Sequence, residues 1–243
     1  MQQEDFERIQ MLQESCGRIQ VKQKGFGRTQ LQRNGFGRTQ MQPVQVVRLG
    51  EHDYNDDDDG AAHVDFGVAE SILYPEYVHP QGYHDLALIK LDRKIVFKSN
   101  IKAVCLAWGE ESSYSLVGQS VTVTGWGSTK FGGFPSSVLQ EVNVTVFQSS
   151  ACDQSYSTLS YYPSIWPQGI GQETVCAGDR NGRRDACQGD SGGPIVSRNP
   201  YGRFTLAGVV SSGNECGLKG FPGLYVNLRH PPYLAWIKKV AFK

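Results

Sequence analysis

The stretch EVNVTVF, residues 141 to 147, sets valines in alternation with Asn143 and Thr145. Successive side chains of a β-strand point to opposite faces, so this spacing predicts a strand with one buried and one solvated face. Four more short runs are rich in β-branched residues and bounded by Gly, Pro, Asn and Asp: VQVVRL (44–49), ALIKL (87–91), SVTVTGW (120–126) and LAGVVSS (206–212). This pattern is typical of an all-β sandwich or barrel.

Two further features depend on this assignment. The ending PPYLAWIKKVAFK predicts a terminal helix, because four apolar residues fall on one helical face after two prolines: Tyr233, Trp236, Ile237 and Val240. That face is expected to pack on the barrel. Asn143-Val144-Thr145 is a glycosylation triplet on the solvated strand face, although such triplets also arise by chance.

The N-terminal residues follow a different pattern. Residues 1–40 consist of four decamers, MQQEDFERIQ, MLQESCGRIQ, VKQKGFGRTQ and LQRNGFGRTQ. A ten-residue period matches neither an α-helix nor a solenoid, and at most one aromatic side chain per decamer buries too little surface to offset ordering. We therefore predict a disordered segment over 1–42 and a single folded domain over 43–243. The alternative, an arginine-glycine-aromatic binding arm, is weakened by the acidic residues of the first two decamers.

Composition excludes several classes of function. The formal net charge is zero, with 24 basic and 24 acidic residues, so no surplus favours nucleic acid or an anionic membrane. No apolar run is long enough to span a bilayer. The N-terminus lacks the apolar core of a signal peptide, so no export signal is expected in this chain.

The six cysteines indicate an oxidising compartment. None forms a CxxC pair or has zinc-ligand spacing with histidine, and four of them stand among glycine-rich loops after residue 150. Such cysteines are typical of loop-stapling disulfides in a secreted protein. This expectation conflicts with the missing export signal.

The segment DACQGDSGGPIVS, residues 185 to 197, carries the most specific chemical signal. Glycines around Ser191 permit backbone conformations that other residues avoid. They can turn the N–H groups of Gly189 and Ser191 toward one point. Two such donors form an oxyanion hole, which stabilises the tetrahedral intermediate of acyl transfer.

Several motifs together resemble the trypsin-like serine proteases: GDSGGP (189–194), HDLALIKL (84–91), VTGWGS (123–128), TVCAGD (174–179) and PGLYVNL (222–228). VVRLGEHDYN (46–55) and GWGSTKFGGFPSSVLQ (125–140) more narrowly resemble arthropod clip-domain and venom proteases. The resemblance runs from about residue 44 to the end. It implies a chymotrypsin-like double β-barrel with a C-terminal helix, in which the first barrel is incomplete. It also implies a serine-type endopeptidase that cleaves after Arg or Lys.

The resemblance assigns roles to individual residues. Ser191 would be the nucleophile, Asp85 the buried carboxylate that orients the base, and Ser211 a hydrogen-bond donor to Asp85. Asp185 would form the floor of the specificity pocket, where a buried carboxylate selects a cationic side chain. Ala186 stands beside it where many relatives have serine, and one fewer hydroxyl favours Arg over Lys.

The resemblance also implies the pocket walls and the disulfides. Gly213 and Gly223 would leave the walls open for a long side chain. Cys152 would pair with Cys176, and Cys187 with Cys216. Cys105 corresponds to the cysteine that tethers a light chain in clip-domain relatives, so here it is either free or paired elsewhere.

Two parts of the family pattern are absent from the sequence. The triad histidine lies in a TAAHC segment before the VVRLGEH strand in relatives, and residues 35–40 of this chain contain GFGRTQ instead. His63 comes after that strand, so we expect a solvated loop residue. The apolar-Gly-Gly start, whose ammonium would pair with Asp190, is also missing, which predicts a zymogen-like site. The first hypothesis is a trypsin-like serine endopeptidase with an N-terminally truncated domain, for which these gaps predict little activity in this chain. They motivate a second hypothesis, a non-catalytic homologue that acts as a binding or regulatory module.

The same resemblance also indicates which cofactors and partners to expect. No cofactor is expected except calcium, for which Glu51 and Asp65 flank the acidic run NDDDDG, although such a run is more often a solvated loop. The expected partners are protein substrates with Arg or Lys at the cleavage site, and serpin-type or other protease inhibitors. Nucleic acid and membranes are not expected as partners.

Overall fold

The computed structural model of the protein describes residues 44–199 and 202–242. The decamer repeat, with its predicted disorder, lies outside the described residues. In chain order the elements are β1 (Val46–Leu49), β2 (Val64–Leu73), β3 (Ala87–Leu91), β4 (Cys105–Leu106), α1 (Glu110–Ser113), β5 (Ser120–Gly125), β6 (Gln140–Phe147), α2 (Ser149–Tyr156), α3 (Tyr162–Ile165), β7 (Thr174–Gly178), β8 (Pro194–Arg198), β9 (Phe204–Ser212), β10 (Gly223–Asn227) and α4 (Pro231–Ala241).

Six strands close into an antiparallel barrel. Their order is β10-β7-β6-β5-β8-β9, and β9 pairs back with β10 to complete the ring. The short strand β4 adds to β9 in parallel. The other three strands form an antiparallel sheet in the order β1-β2-β3. These strands and the terminal helix confirm the predicted all-β fold, and the three-stranded sheet corresponds to the incomplete first barrel.

Strand alternation fills the barrel interior. Val144 and Val146 on β6 are buried, whereas Asn143 is exposed and accepts a hydrogen bond from Thr122 Oγ1 at 2.8 Å. Val121 and Val123 on β5 face the same core. This burial pattern confirms the predicted division of β6 into a buried and a solvated face. Burial of each valine side chain contributes about 1.5–3 kcal/mol to the stability of the fold.

Helix α4 packs against the barrel strands β9 and β10. Tyr233 and Ile237 are buried against Leu228 and Val226, as the predicted face requires. Leu234 is buried as well, so the packed face is wider than the sequence pattern indicated. None of the described helices combines the length and apolar character needed to cross a bilayer.

The disulfides match the implied pairing. Cys152 on α2 is bonded to Cys176 on β7, which fastens this helix to the barrel. Cys187 is bonded to Cys216, which links the loop before β8 to the loop after β9. Cys105 is itself disulfide-bonded, so the alternative of a free thiol is wrong.

Candidate functional site

The loop that carries Ser191 leads into β8 and is held on both sides by backbone hydrogen bonds. Asp190 N donates to Cys187 O at 2.9 Å, and Gly192 N donates to Val210 O on β9 at 2.8 Å. The barrel wall therefore fixes the serine in a short, glycine-rich turn.

The peptide unit between Gln188 and Gly189 has a defined orientation. Gln188 O accepts a hydrogen bond from Ser128 N at 2.8 Å. The C=O and N–H of a trans peptide point in opposite directions, so Gly189 N–H points away from Ser128. Gly189 has a φ of 97°, and a Cβ there would lie 3.1 Å from Gly127 Cα, so this position requires glycine. Within the described chain, neither Gly189 N nor Ser191 N donates to another group, an arrangement compatible with the predicted oxyanion hole.

Asp190 is held by amides. Its two carboxylate oxygens accept from Gly127 N and from Cys187 N, each at 2.8 Å. Burial raises the pKa of this carboxyl, and the two amides offset part of that rise. A Cβ on Gly125 would lie 2.0 Å from one carboxylate oxygen, so glycine at this position makes room for Asp190. No described cation pairs with Asp190, and the amides are its hydrogen-bond partners.

Asp185 lies beside this loop, and its side chain is half-buried. Its carboxylate accepts from Ala186 N at 2.8 Å and from Gly217 N at 3.1 Å. Burial raises the pKa of Asp185 to about 6, and the two amide hydrogen bonds partly oppose the rise. No described cation pairs with it, so the charge of Asp185 is buried at a cost that a cationic ligand would remove.

Glycine and tyrosine residues lie beside the Asp185 carboxylate. A Cβ on Gly223 would lie 2.7 Å from Asp185 Oδ1 and 3.1 Å from Tyr225 Oη. Any side chain at Gly223 would therefore fill the space above the carboxylate. A Cβ on Gly213 would make only ordinary contacts, such as 3.9 Å to Tyr156 Oη. The Tyr225 hydroxyl is buried beside Asp185, and no described group gives it a hydrogen bond of acceptable geometry.

Asp85 and Ser211 come together as the resemblance implied. Ser211 Oγ donates to Asp85 Oδ2 at 2.7 Å across 126 positions of sequence. The expected burial of Asp85 is wrong, because its side chain is exposed. The residue precedes β3 at the border between the sheet and the barrel, and no imidazole covers it in the described chain.

All five histidines lie within the described residues, and none hydrogen-bonds Ser191 or Asp85. His63 Nδ1 lies 3.4 Å from Glu51 Oε2, in the loop before β2. His84 Nδ1 lies 2.9 Å from Tyr233 Oη. His84 has a φ of 58°, and β3 begins only at Ala87.

The other three histidines also form no hydrogen bond with Ser191 in the described chain. His52 lies at the end of β1, where its carbonyl accepts from Trp126 Nε1 at 3.0 Å and its side chain is exposed. His79 precedes a cis proline, and His230 packs edge-on against Tyr233. Across the residues that the structure describes, Ser191 therefore has no hydrogen bond to a histidine.

The carboxylates proposed for calcium are already paired with Arg48. Arg48 Nε and Nη2 donate to the two oxygens of Asp65 at 2.6 and 2.9 Å, and Nη1 donates to Glu51 Oε2 at 3.1 Å. Glu51 is buried, and this pairing with both acids raises the pKa of Arg48. Asp59 accepts from the amides of Asp53 and of Ala61.

No group of three ligating side chains forms in the part of the chain that the structure describes. These residues do not fit a calcium ion, because a guanidinium already neutralises the two acids that would be its ligands.

The sequence left three site residues without a role. Ser128 and Gly127, in the quoted VTGWGS motif, hold the Gln188 carbonyl and the Asp190 carboxylate. Arg48 contacts Glu51, which follows the end of β1, and Asp65, which lies opposite Arg48 on β2.

Comparison with known proteins agrees with the geometry. The family model for trypsin matches residues 37–237. The clotting factor G beta subunit of Tachypleus tridentatus is 36% identical over 197 residues, which are 81% of this chain and 61% of that protein. The proclotting enzyme of the same species is 35% identical over 191 residues, 79% of this chain and 48% of that protein.

The venom protease of Bombus pensylvanicus is 34% identical over 184 residues, 75% of this chain and 71% of that protein. This chain therefore spans about half to two thirds of the two Tachypleus proteins and most of the venom protease.

Proposed function

This chain belongs to the trypsin family of serine proteases, and from that premise we propose that it binds polypeptides by an Arg or Lys side chain in the Asp185 pocket without cleaving them at a protease's rate. The observation that carries the proposal is a half-buried carboxylate with no described cation beside it, combined with a serine to which no histidine forms a hydrogen bond in the described chain.

The pocket supports recognition of a cation. Asp185 keeps a raised pKa because its charge is poorly solvated, and an incoming guanidinium would replace the lost water by a charge-assisted hydrogen bond. The Tyr225 hydroxyl stands beside it as a further polar group. Ala186 supplies no hydroxyl for a compact ammonium, so Arg, whose planar fork pairs bidentately, is preferred over Lys.

Turnover requires a base at Ser191. A serine hydroxyl is a weak nucleophile unless an adjacent group accepts its proton. Removing the histidine of such a triad costs about 10⁶-fold in turnover, with residual rate from the oxyanion hole and binding. None of the five histidines hydrogen-bonds Ser191 or Asp85 in the described chain, which supports a binding or regulatory role for this chain.

A second candidate is a trypsin-like serine endopeptidase, which two observations favour. The Gly189 amide is oriented and unpaired, and Ser211 hydrogen-bonds Asp85 as in a complete triad. Under this hypothesis the ligands are protein substrates cleaved after Arg or Lys, and serpin-type inhibitors bind the same site. For either candidate the disulfides support secretion into an oxidising compartment.

Binding of p-aminobenzamidine, a fluorescent arylamidine that mimics the arginine side chain, tests the proposal. The full chain should bind it saturably, and Asp185→Asn should weaken binding by about 100-fold because the cation would lose its buried counter-charge. Equal affinity in both proteins would refute the pocket. Hydrolysis of an arginyl peptide that disappears in Ser191→Ala would favour the second candidate instead.

A further inference from the structure

A cleft lies on the barrel surface, and Asp185 is not among its lining residues. It has a volume of about 390 Å³ and is bounded by the end of β6, the start of α2 and Arg180. We call it the Arg180 cleft. Its polar side chains include Gln148, Ser150 and Gln154, all exposed, and its lining contains no carboxylate. The one charged group in its wall is a cation, so the cleft is suited to an anionic group.

Three further cations extend from the cleft. Arg183 and Arg184 follow Arg180 on the loop after β7, and Lys219 stands on the loop before β10; all four side chains are exposed. We call these four residues the basic ridge. The two loops are in contact at Gly182, where a Cβ would lie 2.3 Å from Lys219 N. Residues distant in sequence thus share one stretch of surface.

The ridge stands on a rigid base. Gly182 N donates to Asp179 O at 2.9 Å, and Arg183 N donates to Asp179 Oδ2 at 3.2 Å. The disulfide between Cys187 and Cys216 joins the same two loops a few residues further on. A ligand bound here would have to order side chains but not backbone, which lowers the entropic cost of binding.

The charge of the ridge is poorly compensated within the chain. The one described ion pair is between Arg184 Nη2 and Asp179 Oδ1, at 3.8 Å. Arg180, Arg183 and Lys219 form no ion pair with any described residue. The same two loops also carry Asp179, Asp185 and Glu215, of which only Glu215 is exposed, so the exposed charged side chains of these loops are predominantly basic.

We propose that the Arg180 cleft and the basic ridge together bind a sulfated polysaccharide. Arginine pairs bidentately with oxyanions such as sulfate, and a linear chain with one anionic group in the cleft can place the next groups along the ridge. The disulfides favour an extracellular polyanion over nucleic acid. This inference does not depend on whether the chain binds or cleaves peptides.

Fluorescence anisotropy with a labelled heparin octasaccharide tests the site in the full chain. The variant Arg180→Gln/Arg183→Gln/Arg184→Gln should bind at least about tenfold more weakly than the unmodified protein. Its logarithmic salt dependence, measured from about 50 to about 200 mM NaCl, should flatten by about two to three units, close to one for each lost contact. The single variant Arg180→Lys keeps the charge but loses the planar guanidinium. Its affinity for the octasaccharide should lie between those of the unmodified protein and the triple variant.

A charge-matched control separates this site from general attraction. Lys98→Gln/Lys238→Gln/Lys239→Gln removes three exposed cations elsewhere and should change affinity by less than about threefold. Unfolding midpoints of both variants within a few degrees of the parent show that each is folded. Unchanged affinity in the arginine variant, or an equal loss in the control, would overturn the proposal. Tighter binding of a polyglutamate peptide or of single-stranded DNA than of the octasaccharide would overturn the assigned ligand class.

Discussion

Replacing Asp185 by Asn should make the free protein more stable at neutral pH while removing its cation pocket. The carboxyl has an ordinary pKa of 3.8, and burial raises it to about 6. A shift of this size corresponds to about 3 kcal/mol between the two protonation states. The native protein therefore carries a cost of about that size whenever Asp185 is ionised.

The pH dependence follows from proton counting. Between about pH 4 and about pH 6 the native state holds the Asp185 proton and the unfolded chain does not, so stability falls as pH rises through this window. Above about pH 6 the full cost applies, and below about pH 4 it vanishes. Asn carries no charge and avoids the cost at every pH.

The amide side chain of the Asp185→Asn variant would also lose one hydrogen bond that Asp185 accepts. Asn Oδ1 can still accept from Ala186 N, but its NH₂ group would face the Gly217 amide, which costs about 1–1.5 kcal/mol. The variant should thus be more stable than the parent by about 1–2 kcal/mol at about pH 7.5, which raises the unfolding midpoint by about 3–6 °C. At about pH 4 the order should reverse, with the variant about 1 kcal/mol less stable.

Urea unfolding at the two pH values measures both differences. Glu215→Gln is the control, because it removes an exposed carboxylate from the neighbouring loop and should change stability by less than about 0.5 kcal/mol. An Asp185→Asn variant that is less stable at about pH 7.5, or whose difference from the parent does not change with pH, would refute the assignment of a strained buried charge.

Three other perturbations test neighbouring parts of the account. Calcium or EGTA should not move the unfolding midpoint of the parent, and a calcium response in calorimetry would contradict this. Arg48→Gln should lower the free energy of unfolding by about 3 kcal/mol, because the buried Glu51 carboxylate would lose its guanidinium partner. Calcium should restore part of the stability of this variant. Gly223→Ala should weaken arylamidine binding by at least about tenfold, since its Cβ would lie 2.7 Å from Asp185 Oδ1, and unchanged affinity would show that the ligand binds elsewhere. Cys187→Ser/Cys216→Ser should lower the free energy of unfolding by about 2–4 kcal/mol. It should weaken arylamidine binding more than heparin binding. Equal losses of the two affinities would contradict the claim that this disulfide holds the Asp185 pocket.

The strands were largely predictable because their signal is local. Alternation in EVNVTVF and the β-branched run SVTVTG both correspond to barrel strands, and the apolar face of the terminal helix packs as expected. Strand β2 was not predicted, because its ten residues include five exposed and four half-buried positions and show no regular period. Its assignment depends on pairing with β1 and β3, which is a tertiary effect.

The site was predictable where a residue's role depends on its own motif. The glycines around Ser191 and the hydrogen bond from Ser211 to Asp85 were expected from the motifs. The exposure of Asp85 and the positive φ of His84 were not, because both depend on how the three-stranded sheet meets the barrel. Arg48 was missed for a related reason, since its partner Asp65 is brought close only by the pairing of β1 with β2.

Hydrolysis of an arginyl peptide by the purified full chain, with Ser191→Ala measured beside it, tests the central claim most directly. An ordinary protease works at a kcat/KM of at least about 10⁴ M⁻¹s⁻¹. Without an imidazole beside the serine, we expect a value about 10⁶-fold lower than that of an intact triad, indistinguishable from the alanine variant, while arylamidine binding persists. Hydrolysis in the ordinary range that is abolished by Ser191→Ala would contradict the account and establish the chain as an active endopeptidase.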